Sequence, residues 1–237
     1  MSDTQAGDPR AAILRQAASI SVAVAPFGVA FGVVAADAGL SLIETIGFST
    51  LVFTGGAQFA AVSVLGDGGT AASAVAAGLL LNVRLLAFGL VLAPVLSGPV
   101  WRRAVASQLV IDESTAVATG QHEQRWQRFG FLAAGIGVFA TWNATTVLGA
   151  SVLGGADELI DKAGIDATIP AAFLALLWPR LADPQQRLVA MLGAVVALVG
   201  APLLPPGMPI VAAAFAVLVA RPWRPAPPPA TNTEPVG

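Results

Sequence analysis

Apolar runs close to the roughly 20 residues that a helix needs to span a bilayer recur from residue 17 to residue 220, leaving little chain for anything else. Eight such segments can be drawn, at about 17–36, 43–65, 71–97, 104–120, 129–153, 168–182, 188–204 and 207–221. Hydrocarbon offers no water to satisfy backbone amides, so each segment must be helical, and the alternation of barrel strands is absent. The predicted fold class is therefore all-α, a polytopic transmembrane helix bundle. Composition agrees: 56% of residues are hydrophobic and 11% charged, against about 25% charged in soluble domains. The bilayer is the expected solvent, with residues 1–16 a short cytoplasmic segment, 17–221 one membrane domain, and the Pro- and Ala-rich 222–237 a disordered cytoplasmic tail.

Several function classes fall away on the same grounds. Net charge is −2 with Lys and Arg scattered, which lacks the basic footprint of a nucleic-acid binder. There is no Cys, so thiolate metal sites and cysteine nucleophiles are excluded. The only His, His122, falls in a loop, and no HExxH or Asp-rich metal pattern occurs, which argues against an intramembrane enzyme. No cofactor is expected. Arg10 and Arg15 precede the first apolar run as in a signal peptide, but that run of about 20 residues exceeds a usual h-region and reads as a retained helix.

Orientation follows from Lys and Arg in short loops, which favour the cytoplasm. Arg10 and Arg15, Arg125 and Arg128, Arg180 and Arg187, and Arg221 and Arg224 should all face inward. The acidic stretches Asp37 to Glu44 and Asp157 to Asp166 should face outward, and both termini then lie inside. With eight crossings, the reading preferred here, Arg102 and Arg103 fall outside and break the rule. The alternative makes 43–65 and 104–120 re-entrant, leaving six crossings and that loop inside. A faint internal repeat relates Ala38-Gly39-Leu40-Ser41 to Ala163-Gly164-Ile165-Asp166, with Ser41 and Asp166 each suited to a helix N-cap.

Polar groups inside the apolar runs are the candidate site. Asn82-Val83-Arg84 lies mid-segment, where a guanidinium costs about 2.5–3.5 kcal/mol on insertion scales unless a carboxylate or a wet cavity offsets it. Asp112-Glu113, the adjacent acidic pair in the fourth segment, is the natural counter-charge; two close carboxylates are also what a proton-coupling group needs. Gly55-Gly56 with Gln58 interrupts the second segment, either as a broken helix with free amides or as a close-packing face. Pro26-Phe27-Gly28 is a second candidate break. Trp142-Asn143 sits deep in the fifth segment, whereas Trp101, Trp126, Trp178 and Trp223 lie at segment ends as interfacial anchors.

Taken in order, Pro26-Phe27-Gly28 with Phe31-Gly32, Ala38-Gly39-Leu40-Ser41, Val52 to Ala60, Asn82-Val83-Arg84 and Asp112-Glu113-Ser114 resemble the large subunit of the branched-chain amino acid exporter family, the azaleucine-resistance or AzlC-type permeases. The resemblance implies a bacterial inner-membrane, multi-pass permease that exports leucine, isoleucine, valine or methionine, driven by the proton gradient and working with a small membrane subunit. Family members carry a His after the motif Arg and an aromatic hydroxyl a few residues on; here Leu85 and Phe88 occupy those places. A zwitterionic cargo would find its carboxylate partner in Arg84 with Gly55 and Gly56, supported by Asn82, Gln58 and Asn143, and its ammonium partner in Asp112 or Glu113. Phe27, Phe31, Phe53, Phe59 and Trp142 would form the apolar pocket. The competing reading is a channel or a non-transporting assembly subunit.

Overall fold

The computed structural model describes residues 8–153, 174, 177–205 and 208–216. The 157–166 loop, most of the sixth apolar segment, Asp166 and the tail lie outside the described residues. Every regular element among the described residues is helical. In order they are α1 (Pro9–Asp37), α2 (Leu42–Val52), α3 (Gly55–Gly66), α4 (Ala71–Asn82), α5 (Arg84–Leu92), α6 (Val100–Ser107), α7 (Asp112–Thr119) and α8 (Gln124–Leu148). A π-turn (Gly149–Leu153) continues α8; after a 3-10 turn (Trp178–Ala182) come α9 (Pro184–Gly200) and α10 (Met208–Ala214).

The frame is a parallel pair, α1 and α8. Arg10 lies over the Phe129 ring at 5.5 Å, and farther along, a Cβ built on Gly137 would meet Ser21 Oγ at 2.6 Å. Gly28 and Gly32, spaced as in GxxxG, let the backbones touch: a Cβ on Gly32 would land on the Thr146 carbonyl oxygen, and one on Gly149 on the Val29 carbonyl oxygen. Pro26 does not break α1, which runs unbroken from Pro9 to Asp37. The Pro26-Phe27-Gly28 motif is thus a packing feature, because Gly28 seats against Thr145 and Trp142.

Between these two helices the chain makes two half-depth hairpins and one crossing. At about 1.5 Å per residue, α2 is about 16 Å long, half of a roughly 30 Å hydrocarbon core. It starts at a capping box, with the Ser41 hydroxyl and backbone N–H both donating to Glu44, beside the Asp37 end of α1. It ends at mid-depth, where Phe53 meets Phe139 of α8 with ring centroids 4.8 Å apart. Then α3 turns back, and Gly66 arrives beside Ala38, the residue that ends α1. The α2/α3 pair therefore enters and leaves on one face.

The pair α4/α5, bent by 42° at Val83, crosses to the other face. There Gln124 Nε2 donates to Pro94 O at 2.9 Å and Arg128 Nη1 to Ser97 Oγ at 3.1 Å. From that face α6 rises to mid-depth and α7 returns, with Gln127 Nε2 donating to Gln121 O at its exit. So α6/α7 is the second hairpin, inverted relative to the first.

This corrects the count of eight crossings. Among the described residues two helices, Pro9–Asp37 and Gln124–Val152, are long and apolar enough to span, and the bent α4/α5 pair makes a third. Segments 43–65 and 104–120 double back because each contains a helix stop at its centre. The correction also removes the conflict over Arg102 and Arg103, which sit on the same face as Arg10, Arg125 and Arg128.

Candidate functional site

The two hairpin tips meet at mid-depth, and three helix breaks converge there. The first, Phe53-Thr54, exists because α2 ends at Val52 and Gly55 restarts the helix. Buried carbonyls at such a stop must find donors. Gln58 Nε2 supplies Ser49 O at 3.2 Å and Phe48 O at 3.4 Å; from the opposite hairpin, Gln108 Nε2 supplies Thr50 O at 2.7 Å and Leu51 O at 3.0 Å. The break at 108–111 is held by Ser114, whose hydroxyl donates to Leu109 O and accepts from the Ile111 N–H at 3.2 Å. The third break, at Val83, leaves Arg84 as the first residue of α5, close to the centre of its span.

Arg84 and Asp112 are brought together here. Arg84 Nη2 donates to Asp112 Oδ2 at 2.9 Å. Asp112 occupies the first turn of α7, where the helix dipole favours a carboxylate. The two side chains remain 43% and 37% exposed, so the described residues do not seal the pair. Glu113 follows Asp112 on the same turn. A Cβ placed on Gly56 would lie 3.7 Å from Arg84 Nη2, so the guanidinium stands against the first turn of α3. That N-terminus has no side-chain cap: Thr54 Oγ1 donates instead to Val52 O at 3.1 Å. The guanidinium thus stands beside a helix N-terminus uncapped among the described residues, an arrangement suited to a carboxylate. The Trp142 indole covers Gly55 so closely that an added Cβ would fall 2.9 Å from its ring.

Other residues expected at the site play different parts. The Gln58 amide is wholly buried and its N–H groups are spent on α2. Asn143 Nδ2 donates to Phe139 O at 2.9 Å, and Asn143 Oδ1, Asn82 Oδ1 and Trp142 Nε1 are buried without a hydrogen-bond partner among the described residues. The expected aromatic pocket is closed: Phe31, Phe53, Phe59 and Trp142 are all buried in one cluster with Phe27 packed against it. Phe31 meets Phe59 edge-on at 5.6 Å and Trp142 stacked at 6.2 Å. They pack against one another between α1, α3 and α8.

Sequence reasoning missed the role of Gln108 and Ser114. The signal was present, since an amide inside an apolar run needs a partner, but that partner is the carbonyl end of a helix 57 to 58 residues away.

Residues 19–155 match the family model described as AzlC protein. The chain is also similar to a protein of Archaeoglobus fulgidus described as an uncharacterized membrane protein, at 30% identity over 179 residues, covering 74% of this chain and 78% of the other. No solved structure matches it.

Proposed function

This chain belongs to the AzlC protein family, and from that premise we propose that it is a permease exporting branched-chain or related small amino acids across the bacterial inner membrane. Its family is transport-associated, not enzymatic, and its relative is a membrane protein. Export by proton coupling, work with a small membrane subunit, cytoplasmic termini and a permease domain over 17–221 are parts of the same proposal.

One observation carries it: the Arg84–Asp112 ion pair stands partly exposed beside the uncapped N-terminus of α3. A zwitterionic amino acid can insert between the two ions, its carboxylate on Arg84 and the Gly55 and Gly56 amides, its ammonium on Asp112 or Glu113. Each charge of the pair then exchanges one partner for another, so loading adds no net charge to the low-dielectric centre, where an uncompensated ion is costly. The test is efflux of labelled leucine, isoleucine, valine and methionine from cells expressing the chain with and without a candidate small subunit. Saturable, gradient-dependent efflux supports the reading. Flux that neither saturates nor follows the gradient means a channel, and no flux even with the subunit means an assembly component.

A further inference from the structure

Beyond the zwitterion site lies a second concentration of polar atoms, between α2 and the outer half of α8. Thr45, Ser49, Gln58 and Thr146 are each 0% exposed, and Thr45 Oγ1, Ser49 Oγ, Gln58 Oε1 and Thr146 Oγ1 have no hydrogen-bond partner among the described residues.

Their placement follows from helix register. Thr45, Ser49 and Phe53 form one i, i+4 stripe of α2, and Phe53 rests on Phe139 of α8. Because α8 runs parallel to α1 and α2 turns back from the Asp37 end of α1 to Phe139, α2 and α8 run antiparallel. Thr45 lies eight residues back from Phe53 and Thr146 seven on from Phe139, about 12 and 10.5 Å along the axes, so they stand at one level. Gln58 joins them because its Nε2 donates to Ser49 O at 3.2 Å.

The way these groups go unpaired is informative. Elsewhere the chain satisfies helical hydroxyls by donation to the preceding turn: Ser21 to Ala17 O at 2.8 Å, Thr50 to Ile46 O at 2.8 Å, Thr115 to Ile111 O at 2.7 Å and Thr145 to Thr141 O at 2.8 Å. Thr45, Ser49 and Thr146 do not. Gln58 has both bonds on its amide nitrogen, which leaves its oxygen free and settles which way the amide points. What remains is a set of four neutral oxygens presenting lone pairs, buried between α2, α3 and α8.

We propose that Thr45 Oγ1, Ser49 Oγ, Gln58 Oε1 and Thr146 Oγ1 form a binding site for a small monovalent cation of the sodium class. Hard cations take oxygen ligands. A divalent ion is disfavoured, since no group of three His, Cys, Asp or Glu able to hold a metal exists among the described residues. The site is separate from Arg84 and Asp112, and its test does not depend on which solute they bind.

The experiment is thermal unfolding of the purified full chain in detergent, titrated with NaCl against choline chloride at constant ionic strength. The expected result is a saturable rise in Tm with Na+ and none with choline. Ser49→Ala and the isosteric Thr146→Val should weaken the apparent Na+ affinity by about tenfold or more. Thr50→Val, whose hydroxyl bonds only its own helix, should keep the response. Equal Tm in both salts overturns the site and leaves ordered water as the occupant. So does a Na+ response that survives in Ser49→Ala and Thr146→Val, or one lost equally in Thr50→Val. A dry seam gives the opposite sign, because Thr146→Val then removes an unsatisfied hydroxyl and raises Tm in either salt.

Discussion

Gln108 and Thr50 join the two inverted hairpins of this protein: the Gln108 amide donates at 2.7 Å to the Thr50 carbonyl, across 58 residues of chain. The first hairpin cannot end at mid-depth by itself, because its stop exposes carbonyls that hydrocarbon cannot satisfy. One residue from the second hairpin completes the first. Gln108→Leu should destabilise the protein by about 1–3 kcal/mol, the cost of stranding carbonyl acceptors away from water, while Gln108→Glu, which loses the donors, should do no better. Thermal unfolding in detergent checks it; wild-type stability in Gln108→Leu would mean the tips are held by something else.

Arg84 is the cation of the proposed site, paired at 2.9 Å with Asp112 and standing against Gly56. Arg84→Ala should abolish leucine efflux yet leave the protein in the membrane at normal abundance. Arg84→Lys keeps the charge and loses the fork geometry, so partial transport is expected. Normal efflux by Arg84→Ala would reduce the pair to a brace.

Asp112 is the group for which proton, ammonium and Arg84 compete in the proposed cycle. Asp112→Asn should lose efflux driven by the proton gradient and retain leucine counterflow, which moves no net proton. Flux and counterflow in vesicles across a pH series measure both. An Asn variant with unaltered pH dependence in each assay removes proton coupling from this residue.

The hairpins also predict accessibility. The native chain has no Cys, so single cysteines report cleanly. Val100→Cys and His122→Cys should react with an impermeant maleimide from the same side of the membrane, and Asp67→Cys from the other. Eight crossings would pair 67 with 122 and place 100 opposite, so one labelling experiment separates the two topologies.

The α1–α8 contact is set by small residues at the crossing. Gly32→Ala drives a methyl into the Thr146 carbonyl and the Ala150 amide, both backbone, and should cost about 1–3 kcal/mol or more. Gly47→Ala meets nothing within 4 Å, so it should be neutral or stabilise α2 by up to about 1 kcal/mol through helix propensity. Paired melting curves of the two variants test the contact directly.

Sequence alone determined that this chain is a helical membrane protein, because twenty-residue apolar runs admit no other solvent and no other backbone pairing. It also marked the groups that matter, since Arg84, Asp112, Gly55 and Gln58 are each anomalous against an apolar run and each anomaly demands a partner. Tertiary structure alone decided who the partners are and which segments cross. Hydropathy measures how apolar a run is, and a hairpin that dips in and returns has the same hydropathy as a helix that passes through. The difference lies in where Phe53 and Gly66 come to rest, against Phe139 at mid-depth and Ala38 back at the starting face. For the same reason the aromatic side chains, read as the lining of a pocket, close into core: whether Phe31, Phe59 and Trp142 face a cavity or one another depends on helix rotation, which no residue spacing records.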